Sequence, residues 1–514
     1  MDAHALVVTI ALVGVVIVIA SLLSGLIERS GVPQVAIFLL LGLVVGPAGL
    51  GLLDFGLQSP TLRVIATLGL VLVLFTDAIS VDVGEIRRQR RLAALVLGPG
   101  TLLPAAALGA AAWLLLDLHW AAAAILGAAL ASTDPVLLRA LLRHPALPAP
   151  ARLALRLESG MNDVVLLPVV VLAMLALGVT STGTAETGHA PPVGRALVGL
   201  FVLGPGLGLL IGWVAITLLE RIRTSIGVRR DYESIYALGV ALTSFAAAEA
   251  AGGSGFLSAF AAGLVIAAVD VELCDCFLDY GEATAEMFLL LTFVALGASV
   301  IWTGLAVATE WRTVAFAVLA LVTRTALVFP LLRRSGMDAR SRSLFAWLGP
   351  RGLSSLLLVL LPVFAGMPGA ARLFQVTCLV VLLSLVLHGA GIALFLRRDA
   401  RVPEDTVPDA PVIDRAAAPA AEHVAARAVS RGELPVLTAH GDADALPEKI
   451  TIDELRALQA SGEPVVVVDV RTERAFHDDP RRGIGTLRMD PDEGARGAER
   501  LRLPHGATIA LYCA

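Results

Sequence analysis

The chain has 514 residues, of which 57% are hydrophobic and 16% charged, with a mean hydropathy of +0.81. Soluble domains carry about 25% charged residues, so a water-soluble globular protein is excluded. The formal charge of −5 says little, because the charge sits in loops and the tail. Runs such as ALVVTIALVGVVIVIASLLSGLI exceed the ~20 apolar residues that span a bilayer, and the chain reads as an all-α polytopic membrane protein.

The first run lacks a basic leading region and a clear cleavage site, so it is read as a span rather than a signal peptide. About thirteen hydrophobic segments follow one another. They lie near 5–27, 33–51, 62–81, 92–116, 120–142, 151–178, 195–219, 232–251, 255–270, 284–303, 311–332, 342–364 and 371–396. Basic residues cluster in alternate loops: Arg87, Arg88, Arg90 and Arg91, then Arg139, Arg143 and Arg152, then Arg221, Arg223, Arg229 and Arg230. Arg333, Arg334, Arg340 and Arg342 form a fourth cluster and Arg397, Arg398 and Arg401 a fifth. With thirteen spans all five fall on one side, which the positive-inside rule assigns to the cytoplasm. The N-terminus is then outside and the C-terminus cytoplasmic.

Charges at membrane depth cost several kcal/mol and mark functional sites by default. In chain order the first is Asp77, in LFTDAISVDV, read either as a further ligand or gating acid or as a segment-end residue. Segment five contains ASTDPVLL, where Pro135 removes a backbone donor and disfavours helix at Asp134. A broken helix is expected there, of the kind that lines ion sites. Segment six contains LESGMNDVVLLP. At about 100° per residue, Glu158, Ser159, Asn162 and Asp163 fall within an arc of roughly 140°. That face must point at protein or water.

Arg324 lies inside segment eleven and needs a buried partner, for which Glu158 is the best candidate. Asp163 is then left without a cation of its own. A lone carboxylate in a dry site does not stay a bare anion; it binds a proton or a small cation. In segment twelve, WLGPRGLSS breaks the helix at Gly349, Pro350 and Gly352. Segments five and twelve lie an odd number of spans apart and so run in opposite directions, as inverted repeats do. Two crossed broken helices are expected, with Asp134 and Arg351 offsetting the facing dipole ends.

Of the four cysteines, Cys274 and Cys276 sit in an acidic loop, Cys378 in an apolar run and Cys513 near the end; free thiols are the preferred reading. Composition changes near residue 398. Residues 399–446 read as a flexible cytoplasmic linker and 447–514 as a small α/β domain, with a helix in ITIDELRALQAS and strands in PVVVVDVR and ATIALYCA. A domain ending on a core strand reads as incomplete.

Residues 1 to about 398 resemble the monovalent cation:proton antiporter family, in its NhaP and Na+/H+ exchanger branch. The resemblance rests on Thr133-Asp134-Pro135, Glu158-Ser159-x-x-Asn162-Asp163, the buried Arg324 and Gly349-Pro350-Arg351-Gly352. It implies that Asp163 carries the cation and the proton by turns. It also implies that Asp134, Thr133, Ser159 and Asn162 belong to the ion site, and that Glu158 and Arg324 form a structural pair. Asn162 stands where electrogenic relatives have an aspartate. Many members have an acid directly after the third-segment phenylalanine; here Thr76 follows Phe75, and Asp77 is shifted by about 100° on the helix.

The resemblance further implies secondary antiport of Na+, Li+ or K+ against H+, a homodimer and a plasma-membrane location. Neither a cofactor nor a nucleic-acid partner is expected, and the absence of Walker, haem or zinc motifs argues against a primary pump or redox enzyme. The tail resembles a rhodanese-like domain, with Cys513 at its nucleophile position. Only Ala514 follows it, and GIGTLRM replaces the usual Pro-Gly-Ala turn. The expected site is therefore incomplete, either a fragment or a degenerate regulatory module. The competing readings are a channel or scaffold, and a membrane-tethered sulfurtransferase.

Overall fold

The structure is a computed structural model. It describes residues 34–53, 56–81, 89–144, 147–179, 193–225, 230–269, 284–399, 465–470, 486–489 and 508–512, plus isolated positions 14, 18, 19, 22, 86, 455, 456 and 458. The chain divides into two compact units, Met1–Pro403 and Glu404–Ala514.

The first unit is helical. It opens with α1 (Gln34–Val45) and α2 (Pro60–Ile79), the latter started by a proline that needs no hydrogen-bond acceptor. Next come α3 (Arg90–Leu97) and α4 (Pro99–Leu116), then α5 (Trp120–Ala131) and α6 (Pro135–Arg143), and then the long α7 (Ala149–Ala176). A short α8 (Val193–Val198) enters a π turn at Gly199–Leu203 and continues as α9 (Gly204–Ser225). The following helices are α10 (Arg230–Ala250), α11 (Gly255–Val269) and α12 (284–295), which winds through a π turn at Leu296–Val300 into a 3-10 stretch. The unit closes with α13 (Trp311–Leu331), α14 (Ala339–Trp347), α15 (Leu353–Phe364) and α16 (Ala370–Asp399).

Among the described residues, eight helical stretches are long and apolar enough to cross a membrane. They are Pro60–Ile79, Arg90–Leu116, Trp120–Leu138, Ala149–Ala176, Gly194–Arg223, Thr284–Thr309, Trp311–Leu331 and Ala370–Phe395. Gln34–Val45, Gly255–Val269 and Leu353–Phe364 are shorter apolar helices. The sequence pattern expects more spans, and the difference has local causes. The first segment lies almost wholly outside the described residues. The segment near 33–51 leaves the helix after Val45 for a turn, and the one near 342–364 is split at 348–352. Helix α10 is full length but carries Arg230, Asp231, Glu233 and Glu249.

Small residues let these helices approach closely, as in membrane packing generally. The loop from α4 to α5 is three residues, turned by Asp117 at φ 52° and capped by His119, whose Nδ1 accepts the Ala121 N–H at 3.3 Å. Within this hairpin Gly127 rides against the backbone of Ala105 and Gly109, leaving no room for a Cβ. Gly42, Gly46 and Gly297 allow the same approach between α1 and the chain at 294–298. On the basic side, Arg223 Nε and Nη2 grip Glu233 at 2.7 and 2.8 Å and tie α9 to α10.

In the second unit, β1 (Val465–Asp469) lies between β2 (Leu487–Arg488) and β3 (Thr508–Tyr512), and both pairings are parallel. Val466 pairs with Ile509 and Val468 with Leu511. Most of the ITIDELRALQAS segment, the 399–446 linker apart from Asp399, the Cys274–Cys276 loop and Cys513 lie outside the described residues.

Overpacking a dry helix crossing costs about 1–3 kcal/mol or more. Gly127→Val is therefore expected to lower the melting temperature in detergent or to shift the protein into aggregate on gel filtration. Leu114→Val, at a position 71% exposed, should change neither.

Candidate functional site

Two helices of the first unit are broken at their centres. Between α5 and α6 residues 132–134 are non-helical, with Ser132 at ψ 139° and Asp134 at φ −85°, ψ 116°. This is the extended conformation that a following proline enforces. Between α14 and α15 residues 348–352 are non-helical. The two interruptions touch, as the Asp134 N–H donates to the Pro350 carbonyl at 2.9 Å.

Each break frees two helix ends, and each end meets a charge of the sign its dipole favours. One carboxylate serves both N-termini. Asp134 Oδ1 accepts the Val136 N–H of α6, and Oδ2 accepts the Leu353 N–H of α15, each at 2.9 Å. Two guanidinium groups serve the C-termini. Arg351 Nη1 donates to the carbonyls of Ala131 and Ser132 at the end of α5, at 2.7 and 2.9 Å. Arg324 Nη1 donates to the carbonyls of Phe345 and Ala346 at the end of α14, at 2.5 and 2.6 Å. The Arg351 N–H itself donates to Ser384 Oγ of α16 at 2.7 Å, and that hydroxyl pairs with His388 Nδ1 at 3.0 Å.

The glycines of the second break make this possible. A Cβ on Gly352 would overlap the Asp134 carboxylate, and one on Gly349 would overlap the Arg324 guanidinium. Both are needed for close approach.

Helix α7 supplies the remaining polar groups. Glu158 takes Arg324 in a bidentate pair, Nε to Oε1 at 3.1 Å and Nη2 to Oε2. Arg324 also lies over the Phe345 ring, 4.7 Å from its centroid. Glu158, Ser159, Asn162 and Asp163 are all buried. Asn162 Nδ2 donates to Thr133 Oγ1 at 2.8 Å, and Ser132 Oγ donates to Asp163 Oδ1. Buried Ser354 stands near the same carboxylate. Two oxygens have no hydrogen-bond partner, Asp163 Oδ2 and Asn162 Oδ1.

Glu158 is thus answered by Arg324 and Asp134 by the two helix N-termini it caps, while Asp163 receives hydroxyls but no cation. A pair of unsatisfied oxygens on one helix face, ringed by hydroxyls and extended backbone, suits a small hard cation or a proton. Among the described residues no group of three His, Cys, Asp or Glu side chains is arranged to hold a metal ion such as zinc.

The structure brings Thr133, Asp134, Pro135, Glu158, Ser159, Asn162, Asp163, Arg324, Gly349, Pro350 and Arg351 together around the two breaks. Asp77 is half-buried on α2 and faces α7 at Gly160, where a Cβ would come within 3.9 Å of the Asp77 Cβ. It therefore flanks the site about one turn from Asp163. Sequence reasoning missed Ser132, Ser354, Ser384 and His388. The first two stood beside the breakers in ASTDP and GPRGLSS, while the last two lie in an unremarkable apolar run.

Breaking one partner of a buried ion pair costs about 3–5 kcal/mol. Arg324→Met is expected to lose this much, because it strands Glu158 and uncaps α14 together. Glu158→Gln should lose less, since the amide oxygen still accepts a hydrogen bond. A double-mutant cycle by denaturant unfolding in micelles separates the two contributions.

Residues 14–398 match the model of the sodium/hydrogen exchanger transmembrane family. The K(+)/H(+) antiporter NhaP2 of Shewanella sp. (strain MR-4) is 28% identical over 387 residues, covering 74% of this chain and 65% of that protein. This chain therefore spans less than two thirds of that relative's length. The K(+)/H(+) antiporter NhaP of Alkalimonas amylolytica is 25% identical over 407 residues, 78% of this chain and 68% of the relative. The fold is similar to that of the sodium proton antiporter MjNhaP1 from Methanocaldococcus jannaschii, with a TM-score of 0.60 at 20% identity over 76% of this chain and 100% of that one. With the family model matched over most of its length, this multi-pass membrane protein belongs to the sodium/hydrogen exchanger family.

Proposed function

We propose that the protein is a secondary transporter exchanging one monovalent cation, Na+, K+ or Li+, for one proton across the plasma membrane. The observation that carries this reading is the charge balance at the crossed breaks. Glu158 is paired with Arg324, Asp134 lies on two helix N-termini and Arg351 on a helix C-terminus, whereas Asp163 has no such counterpart and its Oδ2 is unsatisfied. One proton or one monovalent cation on Asp163 makes the centre neutral.

Neutrality couples the two ions. The bare carboxylate is costly to occlude in a low-dielectric environment, whereas the protonated and the cation-loaded forms are not. Only loaded sites then cross between the two faces, which gives obligatory exchange by alternating access. One carboxylate serving one ion at a time gives an electroneutral cycle. Asp163 is the exchanging ligand, and Asn162 Oδ1 with the hydroxyls of Ser132, Ser159 and Thr133 completes an oxygen shell suited to alkali cations. Asp134, Arg351 and Arg324 hold the broken helices, which we read as an inverted repeat, and keep the site in place. The names of the relatives support K+ or Na+ as the cation.

The alternating basic loops support a cytoplasmic C-terminus and an external N-terminus. We read the assembly as a homodimer. Residues 399–446 are taken as a linker and 447–514 as a rhodanese-like module, supported by the parallel β2-β1-β3 order.

In inside-out vesicles, added Na+, K+ or Li+ should dissipate an imposed pH gradient. Asp163→Asn should lose at least about 100-fold in rate, since it removes a charge used in every cycle. Gly352→Ala should also lose exchange by displacing Asp134. The wild-type rate should not respond to an imposed membrane potential. Full exchange by Asp163→Asn, or no dissipation by any of the three cations in the wild type, would overturn the reading.

A further inference from the structure

A cavity of about 230 Å³ lies away from the broken-helix crossing, where α2 begins and α7, α10 and α15 end. Arg63 and Thr67 of α2, Val171 and Leu175 of α7, Glu249 of α10 and Leu361 of α15 are among its walls. The π turn at Gly199–Leu203 forms another side, through Gly199 and Leu200. Such wide turns recur at functional positions.

Three observations make this cavity more than a packing gap. It is built on the two helices that carry the site: Val171 is eight residues beyond Asp163 on α7, or about 12 Å along the axis at ~1.5 Å per residue. Leu361 lies seven residues beyond Ser354 on α15, or about 10 Å by the same rise. Its lining is about as polar as apolar in character, with Thr67, Ser254 and two ionisable groups, Arg63 and Glu249. Those two groups are not equivalent. Arg63 is exposed, with its guanidinium 5.9 Å from the centroid of the Phe364 ring. Glu249 is half-buried and accepts the Gly255 N–H at 2.8 Å. Water and salt screen the exposed cation more than the sheltered carboxylate.

Building on the exchange reading above, we infer that this cavity is the vestibule by which the alkali cation reaches Asp163 from the end of the bundle opposite the basic loops, and that Glu249 is its recruiting carboxylate. Low-dielectric walls focus the field of Glu249 and raise the local cation concentration. Arg63 at the rim opposes it and limits how long the cation dwells. Glu249 acts before binding at Asp163, so it is a recruiting residue and not a ligand of the transported ion.

The test uses full-length protein in vesicles of both orientations. Glu249→Gln keeps an oxygen to accept the Gly255 N–H and removes only the charge. It should raise the half-saturating cation concentration about 10-fold at the vestibule face, the lower end of electrostatic focusing, and leave the value at the opposite face unchanged. Arg63→Gln should lower it at the same face. A purely structural role for Glu249 would move both faces together.

A second readout is independent of transport. With the native cysteines replaced by serine, Thr67→Cys should react faster with a cationic thiol reagent than with an anionic one. That preference should shrink when Glu249→Gln is added. Wild-type exchange with an unchanged half-saturation in Glu249→Gln, or equal labelling rates for the two reagents, overturns the vestibule alone. Absence of wild-type exchange overturns the transport reading and the route with it.

Discussion

Interrupting a helix inside a bilayer frees N–H and C=O groups where no water can satisfy them, and it leaves four half-helix ends carrying partial charges in a low dielectric. In this protein Asp134 answers both positive ends and Arg351 and Arg324 answer one negative end each. The rest of the centre depends on that solution. It fixes the non-helical backbone at 132–134 and 348–352 and brings Ser132 and Thr133 to the face of α7. It also commits three of the five central charges before any ion is considered. Glu158 then pairs with Arg324, and Asp163 remains as the carboxylate whose Oδ2 has no hydrogen-bond partner.

The same constraint explains why two glycines in GPRG are indispensable. A caged carboxylate and a caged guanidinium must each lie directly on the backbone, and any side chain at 349 or 352 would fill that space. Close backbone approach recurs at Gly127, Gly42 and Gly297, where helices cross without the hydrophobic driving force available in water. Among the described residues π turns interrupt the helices at 199–203 and 296–300, next to the proposed vestibule in the first case and under α1 in the second.

Much of the centre was legible in the chain because membrane sequences make polarity conspicuous. Glu158, Asn162, Asp163 and Arg324 stand out against apolar runs, and Pro135 and Pro350 mark the breaks by covalent geometry alone. The serines did not stand out. A hydroxyl costs little in a membrane helix, since it bonds its own backbone, so Ser132, Ser354 and Ser384 carried no signal of their own. Asp77 shows the limit of register arguments. A one-residue shift rotates it by about 100°, yet α2 packs so that it still meets α7 at Gly160. The count of spans was less legible than the site, because a hydropathy run does not reveal that α1 stops at Val45 or that α14 and α15 are separate helices.

By itself the sequence determined the solvent of this protein, the positions of its two helix breaks and the set of charges that must meet within it. Each follows from local chemistry: transfer cost, the missing proline N–H and the price of an idle charge. Only the tertiary structure decided who answers whom. That one carboxylate caps two helices more than two hundred residues apart in the chain, that Arg324 divides itself between Glu158 and the end of α14, and that Asp163 Oδ2 is left over, depend on the approach of α6, α7, α13 and α15 in space. Those approaches are set by small-residue packing summed over many helices, which no local pattern encodes.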